Sequence, residues 1–166
     1  MIADSIFHAL RNAFVEGDLP LHEPRFASNK QRYVHDEVSH NSHMPNLKAA
    51  LGCAQLEQLP DFLASKRRLF ERYQVALADI DEVRLMREPS DCESNYWLQT
   101  LILSDPSAER RDLISQATNK AGLMTRPAWQ LMHQLEQYPE YWRAPLPIVE
   151  LFERRIVNLP SGAGLA

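Results

Sequence analysis

The chain contains little of what would place it at once in a function class. Its 166 residues include two cysteines, Cys53 and Cys92, which form no CxxC pair, so reduced structural thiols are expected rather than a disulfide framework or a cysteine zinc site. No apolar run approaches the roughly 20 residues that cross a bilayer, and the N-terminus lacks the basic and apolar regions of a signal peptide. Acidic residues outnumber basic ones, so the net charge is −4. General nucleic-acid binding is therefore not expected, since it requires a basic face. These absences predict a cytoplasmic protein that binds neither a membrane nor nucleic acid.

The composition that remains is typical of a globular domain. Hydrophobic residues make up 45% of the chain and charged residues 24%. A length of 166 residues fits one domain, or one domain with an appendage. Composition names no activity, so the function must be sought in the order of residues along the chain.

Residues 1–32 are predicted to form a helix followed by an extended arm. Ile6, Leu10 and Phe14 recur at helical spacing within residues 4–14, which predicts an amphipathic helix. Gly17 and Pro20 end it, and the proline-bound residues 21–26 are expected to be extended. A further helical turn or two is expected within residues 30–38.

Four more helices are predicted between residue 47 and the C-terminus. The first covers residues 47–58, with Asn46 as its N-cap and one face of small and apolar side chains: Leu47, Ala50, Leu51 and Ala54. The second begins at Pro60 and keeps a 3.6-residue apolar period as far as Ile80. A third runs over residues 108–120 and ends at Gly122, and a short fourth lies near residues 147–154.

Segments rich in β-forming residues alternate with these helices. Strands are predicted at residues 83–86, 96–103, 123–126 and 156–159, and the glycine-rich tail 160–166 is expected to fray. The resulting order is helix, helix, strand, strand, helix, strand, helix, strand. This order predicts an α+β fold in which a small sheet carries helices mainly on one face.

Several segments resemble a known enzyme family. Residues 44–58 (MPNLKAALGCAQLEQ) resemble the segment that opens the small C-terminal domain of DegT-type sugar aminotransferases, fold-type-I pyridoxal-phosphate enzymes that aminate ketosugar nucleotides. Further family landmarks follow in the same order, at residues 94–98 (SNYWL), 121–129 (AGLMTRPAW) and 157–161 (VNLPS). The resemblance covers roughly residues 33–166. It implies the small domain of the aspartate-aminotransferase-type fold, a short and mainly antiparallel sheet packed with helices.

Two short stretches resemble one subgroup, the aminotransferases of nonulosonic (legionaminic-type) acid synthesis. Residues 21–26 (LHEPRF) resemble the start of such enzymes, and residues 33–38 (YVHDEV) resemble the lead-in to their small domain. These stretches lie far apart in the intact family, but here they are nearly adjacent. The resemblance therefore implies an N-terminal start joined to a C-terminal domain, with the large cofactor domain missing between them.

The chemistry of such enzymes needs groups that this sequence does not supply. Transamination requires a lysine for the Schiff base and a cradle for the cofactor phosphate. The chain has only four lysines, expected to be solvated surface residues, and its five glycines leave no phosphate loop. The lysines are Lys30, Lys48, Lys66 and Lys120. We therefore expect no catalytic residue, no cofactor in this chain and no transamination by it alone, although pyridoxal phosphate serves the parent family.

The resemblance nevertheless implies three ligand-contacting residues. Asn41 occupies the position from which the family contacts the cofactor phosphate of the neighbouring subunit, but its flanks depart from the family pattern, notably His43 where an arginine is usual. Arg126 and His133 lie in the loop that approaches the sugar nucleotide, where Arg126 would suit a diphosphate or would fix the loop geometry. Trp97 and Trp129 are expected to pack in the core or in loops.

Two further expectations concern metals and partners. A cluster of acidic and histidine residues matches no zinc signature, so solvated side chains and no metal are expected. Its members are His35, Asp36, Glu37, His40 and His43. Loss of the large domain would bare apolar surface, which the helix at residues 4–14 or self-association would cover. The expected partner is a second copy of the chain, as a homo-oligomer, or a full-length aminotransferase. The alternative function is a binding or regulatory module that associates with a full-length aminotransferase or binds a nucleotide sugar.

Overall fold

The computed structural model describes residues 46–136, 138 and 142–166. The helices are α1 (Asn46–Glu57), α2 (Leu59–Ala76), α3 (Ala108–Lys120) and α4 (Pro147–Glu153), and the strands are β1 (Val83–Leu85), β2 (Gln99–Leu103), β3 (Arg126–Pro127) and β4 (Ile156–Leu159). Single 3-10 turns lie at Met132–Gln134 and Ala163–Leu165. The predicted order of helices and strands is confirmed over this part of the chain. The helix predicted at residues 4–14 and the boundary between residues 32 and 33 lie outside the described residues.

Helix α3 begins and ends where its sequence predicts, whereas α2 begins beside Pro60 as predicted but ends at Ala76, short of the predicted Ile80. Pro60 lies in the first turn of α2, where its missing N–H costs no hydrogen bond. Ser107 caps α3, because its hydroxyl accepts a hydrogen bond from the Arg110 N–H at 3.1 Å. Gly122 follows α3 with φ +82, a left-handed conformation in which a residue without Cβ is favoured. No helix in the described ranges is long and apolar enough to span a membrane.

The four strands form one antiparallel sheet in the order β1-β2-β4-β3. Leu101 of β2 is paired with Leu85 on one side and with Val157 on the other, and both Leu101 and Val157 have 0% exposure. One core cluster joins this sheet to α2 and α3, and confirms an α+β arrangement. Its buried members are Leu69, Tyr73, Leu77, Ile80, Val83, Leu101, Leu103, Ile114, Leu123, Val157 and Leu159.

The strand predicted at residues 123–126 is wrong in position. The strand that pairs with β4 is Arg126–Pro127, because the preceding residues are bonded to the end of α3 instead. The Leu123 N–H donates to the Thr118 carbonyl at 2.9 Å, the hydroxyls of Thr118 and Thr125 are 2.5 Å apart, and the Asn119 Nδ2 donates to the Thr125 carbonyl at 2.8 Å. These side-chain bonds compete with pairing in the sheet.

The strand predicted at residues 96–103 begins only at Gln99. Tyr96 has φ +45, a left-handed backbone conformation that interrupts an extended strand. The next N–H, that of Trp97, donates to the Asn95 Oδ1 at 3.0 Å rather than to a neighbouring strand. The chain therefore turns sharply before it enters the sheet.

The tail at residues 160–166 is docked, so the expectation that it frays is wrong. The Tyr73 hydroxyl donates to the Pro160 carbonyl at 2.9 Å, and the Ser65 hydroxyl donates to the Ala163 carbonyl. Leu165, in the 3-10 turn, packs against the core cluster. Composition predicted fraying, but these contacts with α2 join residues almost 100 positions apart and leave no local trace in the sequence.

Candidate functional site

Arg126 lies at the edge of the sheet in a row of polar residues. It is paired with Asn158 of β4, which is paired in turn with Thr100 of β2. Directly paired residues share a face of an antiparallel sheet, and the Thr100 hydroxyl donates to the Asn158 Oδ1 at 3.1 Å. The Arg126 side chain is half-buried, and its Nη2 lies 3.2 Å from the Met124 sulfur. The sheet thus fixes the backbone of Arg126 at the rim of a polar row.

His133 connects the loop after β3 to α4. It lies in the 3-10 turn Met132–Gln134, and its Nε2 is 3.4 Å from Oε1 of Glu150 on α4. The imidazole is 13% exposed and the carboxylate 38% exposed, so the pair is partly shielded from water. His133 is thus paired with Glu150, while the Arg126 guanidinium contacts Met124.

Two tryptophans, which were expected to pack in the core or in loops, form an exposed pair on these loops and are not core residues. The rings of Trp97 and Trp129 are stacked with centroids 6.3 Å apart and planes inclined by 24°. Trp97 is 65% exposed and Trp129 is 47% exposed. The Trp97 carbonyl is held in place because it accepts from the Ser161 hydroxyl at 2.9 Å and from the Lys66 ammonium at 3.2 Å.

Lys66 is a structural residue, so the expectation that every lysine is a solvated surface residue is wrong for this one. Its Nζ also donates to the Ser161 carbonyl at 2.5 Å, so the ammonium joins α2 to the backbone just before β2 and just after β4. Burial lowers the pKa of Lys66, since it penalises the charged form. The other two described lysines, Lys48 on α1 and Lys120 at the end of α3, are exposed.

A second cluster, which the sequence did not predict, lies around Glu88. The Arg67 Nη1 donates to the Glu88 Oε1 at 2.9 Å, and the guanidinium lies 5.4 Å from the ring centroid of Tyr96. Tyr96 is stacked on Phe70 of α2 at 4.4 Å, and the Ser94 N–H donates to Glu88. The hydrogen bond from Arg67, followed by that from Ser94, lowers the pKa of Glu88.

This second cluster holds the loop between β1 and β2 against α2. An open cleft of about 210 Å³ lies beside the loop. It is lined by residues that include Met86, Pro89, Cys92, Leu98 and Thr100. Cys92 and Cys53 are both free thiols, and both are exposed.

Several predicted site residues lie outside the described part of the chain. Asn41 and the histidine-rich cluster at residues 35–43 are among them. In the described ranges, no group of three histidine, cysteine or acidic side chains is placed to hold a metal ion. A Schiff-base lysine is not apparent there either, because Lys66 is bonded to two carbonyl oxygens while Lys48 and Lys120 lie on exposed helix surface. The described residues therefore do not fit pyridoxal phosphate.

Comparison with known proteins places this fold. The sequence profile of the DegT/DnrJ/EryC1/StrS aminotransferase family matches residues 21–166. A GDP-perosamine synthase from Escherichia coli O157:H7 is 33% identical over 136 residues, which cover 82% of this chain and 36% of that protein. EpsN of Bacillus subtilis, named as a pyridoxal phosphate-dependent aminotransferase, is 34% identical over 155 residues, which cover 87% of this chain and 39% of EpsN. The chain thus spans little more than a third of the length of these relatives.

A solved structure agrees with the sequence comparison. The crystal structure of DesI in the presence of its TDP-sugar product superposes with a TM-score of 0.67 at 26% identity, over 74% of this chain and 32% of DesI. The small antiparallel sheet with its helices is therefore shared with a nucleotide-sugar enzyme. This chain belongs to the DegT/DnrJ/EryC1/StrS aminotransferase family.

Proposed function

We propose that this polypeptide carries the small C-terminal domain of a pyridoxal-phosphate-dependent ketosugar-nucleotide aminotransferase without its cofactor domain, and that it does not transaminate on its own. The family match over residues 21–166 supports the assignment to this family. The near adjacency of residues 21–26 and 33–38, which resemble distant stretches of legionaminic-type enzymes, supports an internal loss and that subgroup.

The observation that carries this proposal is the position of Lys66. A Schiff-base lysine must present an unprotonated amine to a planar aldehyde that is held by other groups. The Lys66 amine is instead occupied by the carbonyl oxygens of Trp97 and Ser161. Using it for a covalent bond to the cofactor would break both contacts, and Lys48 and Lys120 have no surrounding cradle on their exposed helices.

Reductive trapping tests the absence of catalysis. The protein is mixed with pyridoxal phosphate in the absence of an amino acid and reduced with borohydride, and the label is mapped by peptide mass spectrometry. We expect substoichiometric label spread over several lysines and no absorbance from an internal imine. Lys66→Arg and Lys30→Arg are the matched variants, and each should remove only the label on the substituted lysine while the labels on the other lysines stay unchanged. One label per chain at a single lysine, abolished by one of these variants, would overturn the proposal.

In the parent enzyme we assign Arg126 and His133 to the nucleotide sugar and Asn41 to the cofactor phosphate of a neighbouring subunit. The half-buried guanidinium of Arg126, on an edge strand, suits a diphosphate because it can donate two parallel hydrogen bonds. His133 is positioned by Glu150 at 3.4 Å. The TDP-sugar named for DesI and the GDP-sugar named for the perosamine synthase support a nucleotide sugar as the ligand class.

The exposed pair of Trp97 and Trp129 favours a second candidate function, a module that binds a nucleotide sugar without turnover or associates with a full-length aminotransferase. Indole faces that are open to water can stack on a sugar or base. Tryptophan fluorescence is titrated with UDP-, GDP- and TDP-sugars. If the second function holds, quenching saturates and is lost in Trp129→Ala but not in Trp142→Ala, whose ring is 91% exposed. A flat titration would remove the ligand-binding form of this function.

The partner is a homo-oligomer or a full-length aminotransferase under either function. Light scattering at tens of micromolar measures self-association directly, and a mass that stays monomeric would contradict the homo-oligomer. Co-purification with a full-length aminotransferase tests the other partner.

A further inference from the structure

Helix α1 has no buried residue along its whole length. Leu47 is 84% exposed, and Leu51 and Leu56 are each 64% exposed. Space around Gly52 is open, since a Cβ placed there would meet nothing within 4 Å. A soluble helix that is apolar on most of its surface is normally covered by another element.

The position of α1 explains why the core does not cover it. Only Gln58 separates it from α2, and the Phe62 N–H donates to the Gln58 carbonyl at 3.1 Å, so the chain continues from one helix almost directly into the next. The first buried residue of α2 is Ser65, well beyond this junction. A free helix of 12 residues is marginal in water, so α1 needs a packing partner to persist.

We propose that residues 4–14 of the same chain form a helix that packs on the α1 face made by Leu47, Ala50, Leu51 and Ala54. The stretch 1–45 outside the described residues ends where α1 begins, so its apolar side chains are tethered to this surface. Ile6, Leu10 and Phe14 form a stripe at helical spacing. Eleven helical residues span roughly 16 Å and α1 spans roughly 18 Å, so the two faces match in length.

Charge gives the direction of this packing. Asp4 lies near the start of the segment and Arg11 near its end, whereas Lys48 lies near the start of α1 and Glu57 at its end. A parallel arrangement brings opposite charges together at both ends, and an antiparallel one brings like charges together. The intervening residues 15–45 number 31, and at up to about 3.3 Å per residue they can reach well beyond the roughly 18 Å needed to return from the end of α1 to its start.

The covalent link to α1 also favours residues 4–14 of the same chain, rather than a second copy of the chain, as the cover of the α1 face. A link of this length holds the segment at an effective concentration on the order of a millimolar. A second molecule at micromolar concentration would have to bind the same face about a thousandfold more tightly to compete. Docking within one chain is therefore independent of protein concentration, which gives the proposal a direct test.

Thiol reactivity can report the cover over α1. Ala54→Cys is introduced together with Cys53→Ser, which places one thiol on the proposed face, while the exposed native Cys92 serves as the reference. Docking should make the thiol at position 54 react with a small disulfide reagent about tenfold more slowly than Cys92. Adding Ile6→Glu and Leu10→Glu should bring the two rates together, whereas His8→Glu, opposite the apolar stripe, should leave the difference unchanged.

Three results would each overturn the proposal. The two thiols could react at equal rates in the chain with an intact N-terminal segment. The protection at position 54 could survive Ile6→Glu with Leu10→Glu. It could also disappear on dilution from 50 to about 0.5 micromolar, which mass action predicts if a second copy covers α1 instead. None of these results bears on lysine labelling, so this inference can fail while the proposed function stands.

Discussion

At the scale of single residues, Arg111 is a buried cation that is held by several hydrogen bonds to acidic residues. Its side chain is buried, and Nη1 donates to the Glu153 carbonyl at 2.7 Å and to the Glu153 Oε1 at 2.9 Å, while Nε donates to Asp112 at 2.8 Å. Arg111→Ala leaves a shielded carboxylate unpaired, and we expect the free energy of unfolding to fall by about 3–5 kcal/mol in urea titrations. Arg154→Ala, at an exposed position, should cost less than about 0.5 kcal/mol. If Arg111→Met with Glu153→Met recovered no stability relative to Arg111→Ala, the unpaired-charge explanation would be wrong.

Glu88 should make stability depend on pH in the acid range. The hydrogen bond from Arg67 lowers the pKa of Glu88 from its ordinary value of 4.5, so the folded state binds this proton less readily than the unfolded state. The carboxylate therefore contributes stability that is fully present above about pH 4.5 and is lost as the pH falls through the folded-state pKa. Glu88→Gln should be less stable than the unchanged protein in urea at pH 7, and the gap should close towards pH 3. A gap independent of pH, or one matched by Glu93→Gln at the mostly exposed Glu93, would contradict this role.

The residues of the two candidate clusters differ in how far the sequence could predict them. Arg126 and His133 were identified because they lie in a loop that resembles a family landmark, yet their partners, Met124 and Glu150, were not. Arg67 and Glu88 lie 21 positions apart and match no motif, so nothing in the sequence pairs them. Contacts between distant elements depend on the fold, which has to be known before the pairs can be found.

At the scale of elements, the C-terminal 3-10 turn should behave as part of the core. Leu165 packs against the core cluster, and the neighbouring carbonyl of Ala163 accepts from Ser65. Leu165→Ala removes apolar contact with α2, and we expect a loss of about 1–2 kcal/mol in the free energy of unfolding. Val75→Ala, at a residue 79% exposed on the same helix, is the control and should change it by less than about 0.5 kcal/mol. Equal effects of the two substitutions would mean that the tail is not docked in solution.

Helices were predicted more accurately than short strands and the tail, for a physical reason. The apolar period of α2 and the cap and glycine that bound α3 are local signals, and the structure confirms both helices. The strand expected at residues 123–126 is found at Arg126–Pro127 instead, because Thr118 and Asn119 bind Thr125. Propensity for β-structure does not detect such side-chain contacts. The prediction that the tail frays was wrong because its docking depends on contacts with α2, almost 100 residues earlier.

At the scale of the whole molecule, the two ends of the chain should contribute very unequally to stability. The described core cluster is built from side chains between Leu69 and Leu165, with none from α1. Deleting residues 1–45 should therefore leave one cooperative urea transition, within about 1.5 kcal/mol of the full chain, because it removes cover from α1 and not from the core. Deleting only residues 161–166 should cost more, about 2–3 kcal/mol, since it removes Leu165 and the carbonyls that accept from Ser65 and Lys66. Near-ultraviolet circular dichroism and tryptophan fluorescence, followed through urea titrations, measure the free energy of unfolding of both deletion variants. If the 45-residue deletion abolished cooperative unfolding while the six-residue deletion was tolerated, the folding unit would have to include the N-terminal segment, and the core described here would not be sufficient to hold the fold.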